Sequence, residues 1–375
     1  MLRFLDAGES HGKGLIAIIE GLPSNFQISK ENINLELEKR QRGYGRGNRM
    51  TIEQDKVEIL SGLSKGKTTG APLTLFIRNK DYENWKDLKN VEKEVYIPRP
   101  GHADLTGVFK YNNNIRNNIE RSSARETAIR TAVGAVCKEL LTSLGVEIRS
   151  KVMEIGSVKD SFTDLFDDRA YTKINESSVR VYGNDDKFKE IIDEAKIKGD
   201  TLGGTVYVSI KGVPRGIGSF MHYDRKLDAN IAFSAMSIQG VKSVTIGTQN
   251  TSFTGNLYHD GIMYKDNKLK RESNNAGGIE GGISNGENID IYSYIKPIPS
   301  IKIKYNSVDL KNKRNTSSRY ERSDVTAVVP FSVVLENVMA FEILKAILIT
   351  FSKDNKDELT HAVNYRKKKL GELDE

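Results

Sequence analysis

The segment at residues 327–351 is the feature that most restricts how this chain can fold. Its residues are almost continuously apolar, but Glu336, Glu342 and Lys345 interrupt the run. A membrane-spanning helix needs about 20 consecutive apolar residues, so these charges argue against a span. A helix that is apolar on nearly every side must instead be covered by the rest of the fold. We therefore predict a long core helix over residues 332–351.

The other hydrophobic patterns predict short strands mixed irregularly with helices. We predict strands at residues 12–22, 56–63, 71–78, 204–213 and 241–247. We predict helices after an N-cap at Ser29 and over residues 117–144, 188–199 and 226–236. Such a mixture favours an α+β layered fold over a doubly wound parallel sheet. No low-complexity linker divides the chain, and we expect a single domain over residues 1–375.

Charge and cysteine content bear on the partners and the compartment. The 375 residues include 57 Lys and Arg against 50 Asp and Glu, and this net charge of +7 favours anionic partners. Cys137 is the only cysteine, so no internal disulfide can form, as expected in a reducing cytoplasm. The only apolar run near the N-terminus, residues 15–19, is too short for a signal peptide. We expect a soluble cytoplasmic protein.

Two motifs match catalytic signatures but lie in the wrong context. Residues 8–12 match the G-x-S-x-G elbow of α/β hydrolases, which needs a strand before the serine and a helix after it. Here the motif lies close to the chain start and leads into a β-like stretch. Residues 62–68 resemble a P-loop, but one residue is missing between the glycines. We predict a hairpin turn there and no serine hydrolase.

The histidines do not indicate a metal site. His11 and His102 lie in glycine-containing loops, beside Ser10 and Asp104. None of the five histidines is spaced from another histidine or from Cys137 as zinc ligands are. We therefore predict no metal.

The loop at residues 43–49 alternates glycine with arginine and tyrosine and allows three interpretations. Arg, Gly and Tyr suit single-stranded nucleic acid, so an RNA-binding protein that uses this loop is one alternative. A mobile surface loop is another. In the third, the glycines allow Arg40, Arg46 and Arg49 to converge on a small anion, because arginine binds phosphate and carboxylate in bidentate fashion. The pattern alone does not decide between them.

Taken together, these segments resemble the chorismate synthase family along essentially the whole chain. Six blocks carry the resemblance and follow the family's order. They contain the sequences GESHG (8–12), RQRGYGR (40–46), RPGHAD (99–104), ERSSARETA (120–128), NNAGGIEGG (274–282) and RSDVT (322–326). The chain departs from the family pattern at residues 112–114, where three asparagines form a shorter loop that lacks the usual acidic residue.

The resemblance implies a reaction, a cofactor and an assembly. Family members convert 5-enolpyruvylshikimate 3-phosphate to chorismate in the shikimate pathway, by anti-1,4-elimination of phosphate and the C6 hydrogen. They require reduced FMN without net redox change, and NADPH would take part only if the enzyme reduces its own flavin. The substrate carries about three to four negative charges at neutral pH, so a cationic cage is expected. The resemblance also implies a homotetramer and helices sandwiched between antiparallel β-sheets, with no nucleic acid or membrane partner.

Motif positions imply three sets of site residues. The catalytic set is His11 near the flavin, His102 as proton donor to the leaving phosphate, and Asp324 as a group that helps to take up the C6 proton. The expected substrate contacts are Ser10, Arg40, Arg46, Arg49, Arg99 and Arg322. The expected FMN contacts are Arg121, Ser122, Ser123, Gln239, Gly240, Gly281, Lys296, Pro297, Ile298, Pro299, Ser300 and, shared with the substrate, Arg322.

Overall fold

The structure is a computed structural model that describes residues 1–46, 54–86, 94–265 and 268–371, so the predicted site residue Arg49 lies outside the described residues. Within these ranges the strands are β1 (Arg3–Gly8), β2 (Gly14–Glu20), β3 (Val57–Ser61), β4 (Leu63–Ser64), β5 (Lys67–Thr68), β6 (Leu73–Arg78), β7 (Glu147–Ile155), β8 (Val158–Lys159), β9 (Gly204–Lys211), β10 (Val241–Ile246), β11 (Ile262–Lys265), β12 (Lys268–Arg271), β13 (Ile279–Glu280), β14 (Ile283–Ser284), β15 (Ile289–Ile295), β16 (Asn306–Asp309) and β17 (Arg314–Ser317). The helices are α1 (Lys30–Gln41), α2 (Tyr82–Trp85), α3 (Asp104–Tyr111), α4 (Ile115–Ser122), α5 (Thr127–Ser143), α6 (Asp168–Glu176), α7 (Asp185–Lys198), α8 (Leu227–Met236), α9 (Gly255–Tyr258), α10 (Val328–Phe351) and α11 (Lys356–Lys369).

Two antiparallel sheets form the outer layers. The first has the strand order β1-β2-β6-β3 and the second β10-β15-β9-β7-β8. Side chains alternate between the two faces of a strand, and in β2 the inward residues Leu15, Ala17 and Ile19 are buried. The predicted strands over 12–22, 56–63, 71–78, 204–213 and 241–247 are confirmed, with shorter ends.

The helices α5 and α10 pack against each other between the sheets. Helix α5 contacts β2 and β6 of the first sheet, whereas α10 contacts β7 and β9 of the second. Helix α10 is buried along most of its length, as its apolar sequence predicts. The predicted fold class, α+β with helices sandwiched between antiparallel sheets, is confirmed. One hydrophobic cluster extends from Leu2 to Val363. The single domain over residues 1–375 remains a prediction.

The predicted helix over residues 117–144 is wrong in one respect, because the chain breaks it near Ser123. Helix α4 ends at Ser122, a 3-10 turn covers Ala124–Glu126, and α5 begins at Thr127. Ser123 is extended, with φ −66° and ψ 140°, and its side chain accepts a hydrogen bond from the Arg125 N–H at 3.3 Å. Serine side chains compete in this way with the helical backbone. Hydrophobic periodicity does not register such a break.

Several predicted helix ends and turns are confirmed. Ser29 caps α1 by accepting from the Asn32 N–H, and α7 ends at Gly199 in the left-handed conformation. Residues 63–68 form the β4–β5 hairpin instead of a P-loop. In the asparagine loop, Asn112 ends α3 in the left-handed conformation and Asn114 caps α4. Across the described ranges, none of the helices is long and apolar enough to cross a membrane.

The two central helices are in close contact at Gly134 of α5. A Cβ atom at this position would lie 2.1 Å from the carbonyl oxygen of Asn337 in α10. The Asn337 side chain donates to Glu36 of α1 at 2.9 Å, and Lys138 pairs with both Glu36 and Glu336. A buried polar network therefore fixes the register of α1, α5 and α10.

Replacing Gly134 with alanine should destabilise the protein, although alanine favours helices by about 1 kcal/mol. The added methyl group overlaps a backbone atom, which cannot move as a side chain can, and such overpacking typically costs about 1–3 kcal/mol. We expect a lower free energy of unfolding by urea denaturation. The control is Gly255→Ala in α9, where the new Cβ would meet only ordinary contacts at 3.6 Å. An equal or higher stability of Gly134→Ala would contradict the close helix contact.

Candidate active site

A cavity of about 610 Å³ lies at the beginning of both central helices. Its wall includes Thr127 of α5, Pro330 and Phe331 of α10, and loops that precede or follow strands of both sheets. This volume is typical of small-molecule sites. Helix N-termini carry partial positive charge and favour anions, so two of them at one cavity suit an anionic ligand.

Glu120 fixes the loop that carries Ser10 and His11. Its carboxylate accepts from the Ser10 hydroxyl at 2.9 Å and from the His11 N–H at 2.8 Å. The His11 ring nitrogen Nδ1 lies 2.8 Å from the second carboxylate oxygen, and the ring packs on Trp85 with 4.0 Å between centroids. Burial alone would raise the pKa of Glu120, but the His11 and Ser10 hydrogen bonds lower it.

The contacts of His11 do not form a hydrolase triad. The Ser10 hydroxyl lies 3.0 Å from Nδ1, the same nitrogen that contacts Glu120. A triad histidine uses one nitrogen for the serine and the other for the acid. The geometry therefore agrees with the sequence argument against a serine hydrolase.

Asp104 organises the second histidine loop. Its carboxylate accepts from the Arg99 backbone and guanidinium at 2.9–3.1 Å, and Nδ1 of His102 lies 2.5 Å from it. Arg99 also pairs with Glu321 at 3.0 Å. Burial would raise the pKa of Asp104, but the hydrogen bonds from His102 and Arg99 outweigh it and hold this pKa well below its usual range. Because Nδ1 contacts Asp104, Nε2 is the nitrogen available to a ligand.

Three further arginines that line the cavity each pair with a carboxylate. Arg40 and Arg125 both pair with the buried Asp55, at 3.3 and 2.7 Å. Burial lowers the pKa of Arg40 to about 10, against the opposite influence of Asp55. Arg46 pairs with Asp324 at 2.9 Å, and burial lowers its pKa as well. The cavity is thus rich in guanidinium groups that are held in place before any ligand binds.

Most of the predicted site residues lie at this one cavity. Its wall includes the predicted residues Ser10, His11, Arg40, Arg46, Arg99, His102, Ser122, Ser123, Gln239, Gly240, Lys296, Pro297, Ile298, Pro299, Ser300, Arg322 and Asp324. Arg121 and Gly281 do not line it. Arg121 is half-exposed and pairs with Asp6 of β1 at 3.1 Å, and Gly281 lies in the turn between β13 and β14. The substrate and cofactor contacts of all the predicted site residues remain predictions, and Arg49 lies outside the described residues.

Two neutral side chains at the cavity each carry a buried polar atom that has no hydrogen-bond partner within the described residues, Oγ of Ser122 and Oε1 of Gln239. A buried polar atom without a partner costs about 1–3 kcal/mol, so both positions suit a polar ligand group. Ser122 is next to the helix break at Ser123, and the amide nitrogen of Gln239 already donates to Glu126. The residues present therefore fit a polar cofactor at this wall.

Comparisons with known proteins show what this chain is similar to. The family model described as chorismate synthase matches residues 2–348. A chorismate synthase from Clostridium tetani is 52% identical and the alignment covers 97% of each chain; one from Thermoanaerobacter pseudethanolicus is 51% identical with 96% of each covered. A crystal structure of chorismate synthase matches with a TM-score of 0.81 at 38% identity, covering 99% of both chains. The chain belongs to the chorismate synthase family.

Membership of the chorismate synthase family confirms the main functional prediction, a lyase of aromatic amino acid biosynthesis. The RNA-binding alternative is not supported. In the described part of the loop at residues 43–49, the Tyr44 hydroxyl donates to Asp193 at 2.7 Å and Arg46 pairs with Asp324. These two side chains are therefore engaged in contacts within the fold.

The site residues predicted from the sequence motifs did not include some residues that the structure places at or beside the cavity. Arg125 lines the cavity, whereas Glu120 and Asp104 each hold one of the two histidines. All three lie inside the motif blocks ERSSARETA and RPGHAD, so their position within a motif was the available signal. Asp55 lies outside every block, and only its contacts in the fold reveal it.

The carboxylates that pair with the arginines should make the protein sensitive to acid. The pKa of Asp104 is lower in the folded protein than in the unfolded chain, where it is about 3.9. Asp104 therefore stabilises the folded state above about pH 4, and this stabilisation is lost as the pH falls toward the folded pKa. Asp104→Asn should lower the Tm at pH 7. The Tm of this variant should also fall less steeply than that of the wild type as the pH is lowered below about 4. In the control Asp186→Asn, whose side chain is 77% exposed, the steep fall should persist.

Proposed function

We propose that this cavity binds 5-enolpyruvylshikimate 3-phosphate together with reduced FMN and catalyses the anti-1,4-elimination that gives chorismate. The observation that carries the proposal is the meeting of Arg40, Arg46, Arg99 and Arg125 with His102 and Asp324 at one cavity.

The arginines suit the substrate because it combines a phosphate with two carboxylates. Guanidinium groups bind such oxyanions in a planar, bidentate manner, and each charge-assisted bond contributes roughly 1.5–3 kcal/mol. Arg99 lies beside His102, with Nη2 3.1 Å from Nδ1 of that ring. We assign Arg99 and His102 to the phosphate end of the substrate. Arg40, Arg46, Arg125 and the Ser10 hydroxyl then bind the remaining oxyanions.

The part of the wall that includes Ser122, Gln239 and residues 296–300 suits FMN. Ser122 and Gln239 offer the polar atoms without partners, and the backbone at residues 296–300 lines the cavity. When bound, reduced FMN would supply the electron density that promotes loss of the phosphate. His11, held by Glu120 and Trp85, would keep a proton at the edge of this cofactor.

His102 and Asp324 perform the two proton transfers in this proposal. His102 donates a proton from Nε2 to the departing phosphate oxygen, while Asp104 keeps its ring oriented through Nδ1. Asp324 accepts the C6 proton, and its pairing with Arg46 at 2.9 Å fixes the direction of its carboxylate. The ring of His102 and the carboxylate of Asp324 come from different segments of the cavity wall.

We also propose the cytoplasm as the compartment and a homotetramer as the assembly. The single thiol, Cys137, is buried and free, which suits a reducing compartment. Phe220, Met221 and Phe233 expose 63–77% of their surface near the start of α8 and along it, and such apolar side chains suit a subunit contact. NADPH enters this proposal only if the enzyme reduces its own flavin.

The proposed function predicts that purified protein forms chorismate only with reduced FMN. Anaerobic assays with photoreduced FMN should show chorismate absorbance, and oxidised FMN alone should show none. Adding NADPH to oxidised FMN then tests whether the enzyme reduces its own flavin. Equal turnover in rigorously flavin-free enzyme would contradict the proposed function.

Variants of His102 and Asp324 should fail at different steps, each with a loss of about 10²–10⁴-fold in rate. His102→Ala should slow the release of phosphate itself. Asp324→Asn should slow removal of the C6 hydrogen, so deuterium at C6 should give a larger kinetic isotope effect in this variant than in the wild type. In His102→Ala the same isotope effect should be smaller than in the wild type, because an earlier step limits the rate. The controls are His361→Ala and Asp357→Asn, both exposed on α11. Identical isotope effects in the two site variants would contradict the separate roles.

A further inference from the structure

Asp55 lies behind the cavity wall and contacts two of its cations. Only 2% of its surface is exposed, and its two carboxylate oxygens pair with different guanidinium groups. Oδ2 lies 3.3 Å from Nη1 of Arg40, and Oδ1 lies 2.7 Å from Nη1 of Arg125. Its backbone N–H donates to the Gln41 side chain at 3.0 Å, which fixes Asp55 against the end of α1.

Besides Asp55, each of the two arginines has a second hydrogen-bond partner on a different element of the fold. Arg40 donates from Nε and Nη2 to the Thr127 hydroxyl at 3.1 and 3.0 Å, at the start of α5. Arg125 donates from Nε to Asn79 at 2.9 Å. The Asn79 amide in turn donates to the carbonyl oxygens of Glu9 and Gly12, both at 2.9 Å. Those two residues flank Ser10 and His11.

We propose that Asp55 is the positioning residue of this active site, acting through Arg40 on the cationic cage and through Arg125 and Asn79 on the Ser10–His11 loop. The inference rests on the function proposed above. Two guanidinium groups at this distance from one carboxylate repel each other, and Arg125 and Arg46 both act to lower the pKa of Arg40. Asp55 offsets this repulsion and sets the direction of both guanidinium planes.

This role predicts a separation between binding and catalysis. Without the Asp55 charge the cage becomes more positive, so its attraction for an anionic substrate persists. The guanidinium groups and the Ser10–His11 loop lose their fixed geometry, and misplacement by about 1 Å can cost on the order of 100-fold in rate. Asp55→Asn should therefore lower kcat roughly 10- to 100-fold while KM changes less than about threefold.

A matched control separates this role from a general loss of stability. Asp160 is also a buried carboxylate paired with a buried cation, Lys151, but neither lies at the cavity. Asp160→Asn should lower the Tm, while kcat and KM should each stay within about twofold of the wild-type values. The His11 ring signals in NMR should shift in Asp55→Asn and stay in place in Asp160→Asn.

Two further variants keep the inference testable if Asp55→Asn folds poorly. Asn79→Ala breaks only the link from Arg125 to the Ser10–His11 loop and should also lower kcat more than it raises KM. Asp55→Ala leaves space where formate, a small carboxylate, should restore kcat, whereas neutral formamide should not. Wild-type kcat in Asp55→Asn or in Asn79→Ala would overturn the inference, as would equal rescue by formamide. Absence of chorismate formation by the wild type would instead overturn the proposed function.

Discussion

The close contact between α5 and α10 is the constraint on which the cavity depends. It requires glycine at position 134, because any side chain there would overlap the Asn337 backbone. Both helices begin at the cavity, so their contact brings two positive helix ends to one place. The two sheets cover the outer faces of the helices and leave their starting ends accessible through the loops. The position of an anion site thus follows from how two apolar helices pack.

The second constraint is the compensation of buried charge. A buried guanidinium group without a counterion costs several kcal/mol, so a cavity rich in arginine is stable only with carboxylates nearby. Arg99 has Asp104 and Glu321, Arg46 has Asp324, and Asp55 serves both Arg40 and Arg125. Arg322 differs, because it is exposed and forms no ion pair with the residues that the structure describes. The cage is therefore assembled before substrate arrives, and binding requires little rearrangement of its buried members.

Sequence patterns predicted the elements of this fold better than their arrangement. Periodicity located α10 and β2 because one is apolar on nearly all sides and the other alternates. It missed the break at Ser123, since a serine among helix-forming residues leaves the hydrophobic period unchanged. The sandwich of helices between sheets came only from the family resemblance, because long-range pairing is not written in local periodicity. Asp55 was missed for a similar reason, because its partners Arg40 and Arg125 are 15 and 70 residues away in the chain.

The two histidines lie in different surroundings, which suit them to different roles in the proposed reaction. In both rings Nδ1 contacts a carboxylate, Glu120 for His11 and Asp104 for His102. In His102 this leaves Nε2 as the nitrogen available to a ligand. In His11, by contrast, Nε2 lies 3.8 Å from Oδ2 of Asp81. The His11 ring also packs on Trp85, and these contacts restrict the ring to one orientation. His102 instead lies against the Arg99 guanidinium, a group that attracts phosphate. In the function proposed above, a phosphate bound by Arg99 would lie beside the His102 ring, and for this reason the proposal assigns the acid that assists its departure to His102 rather than to His11.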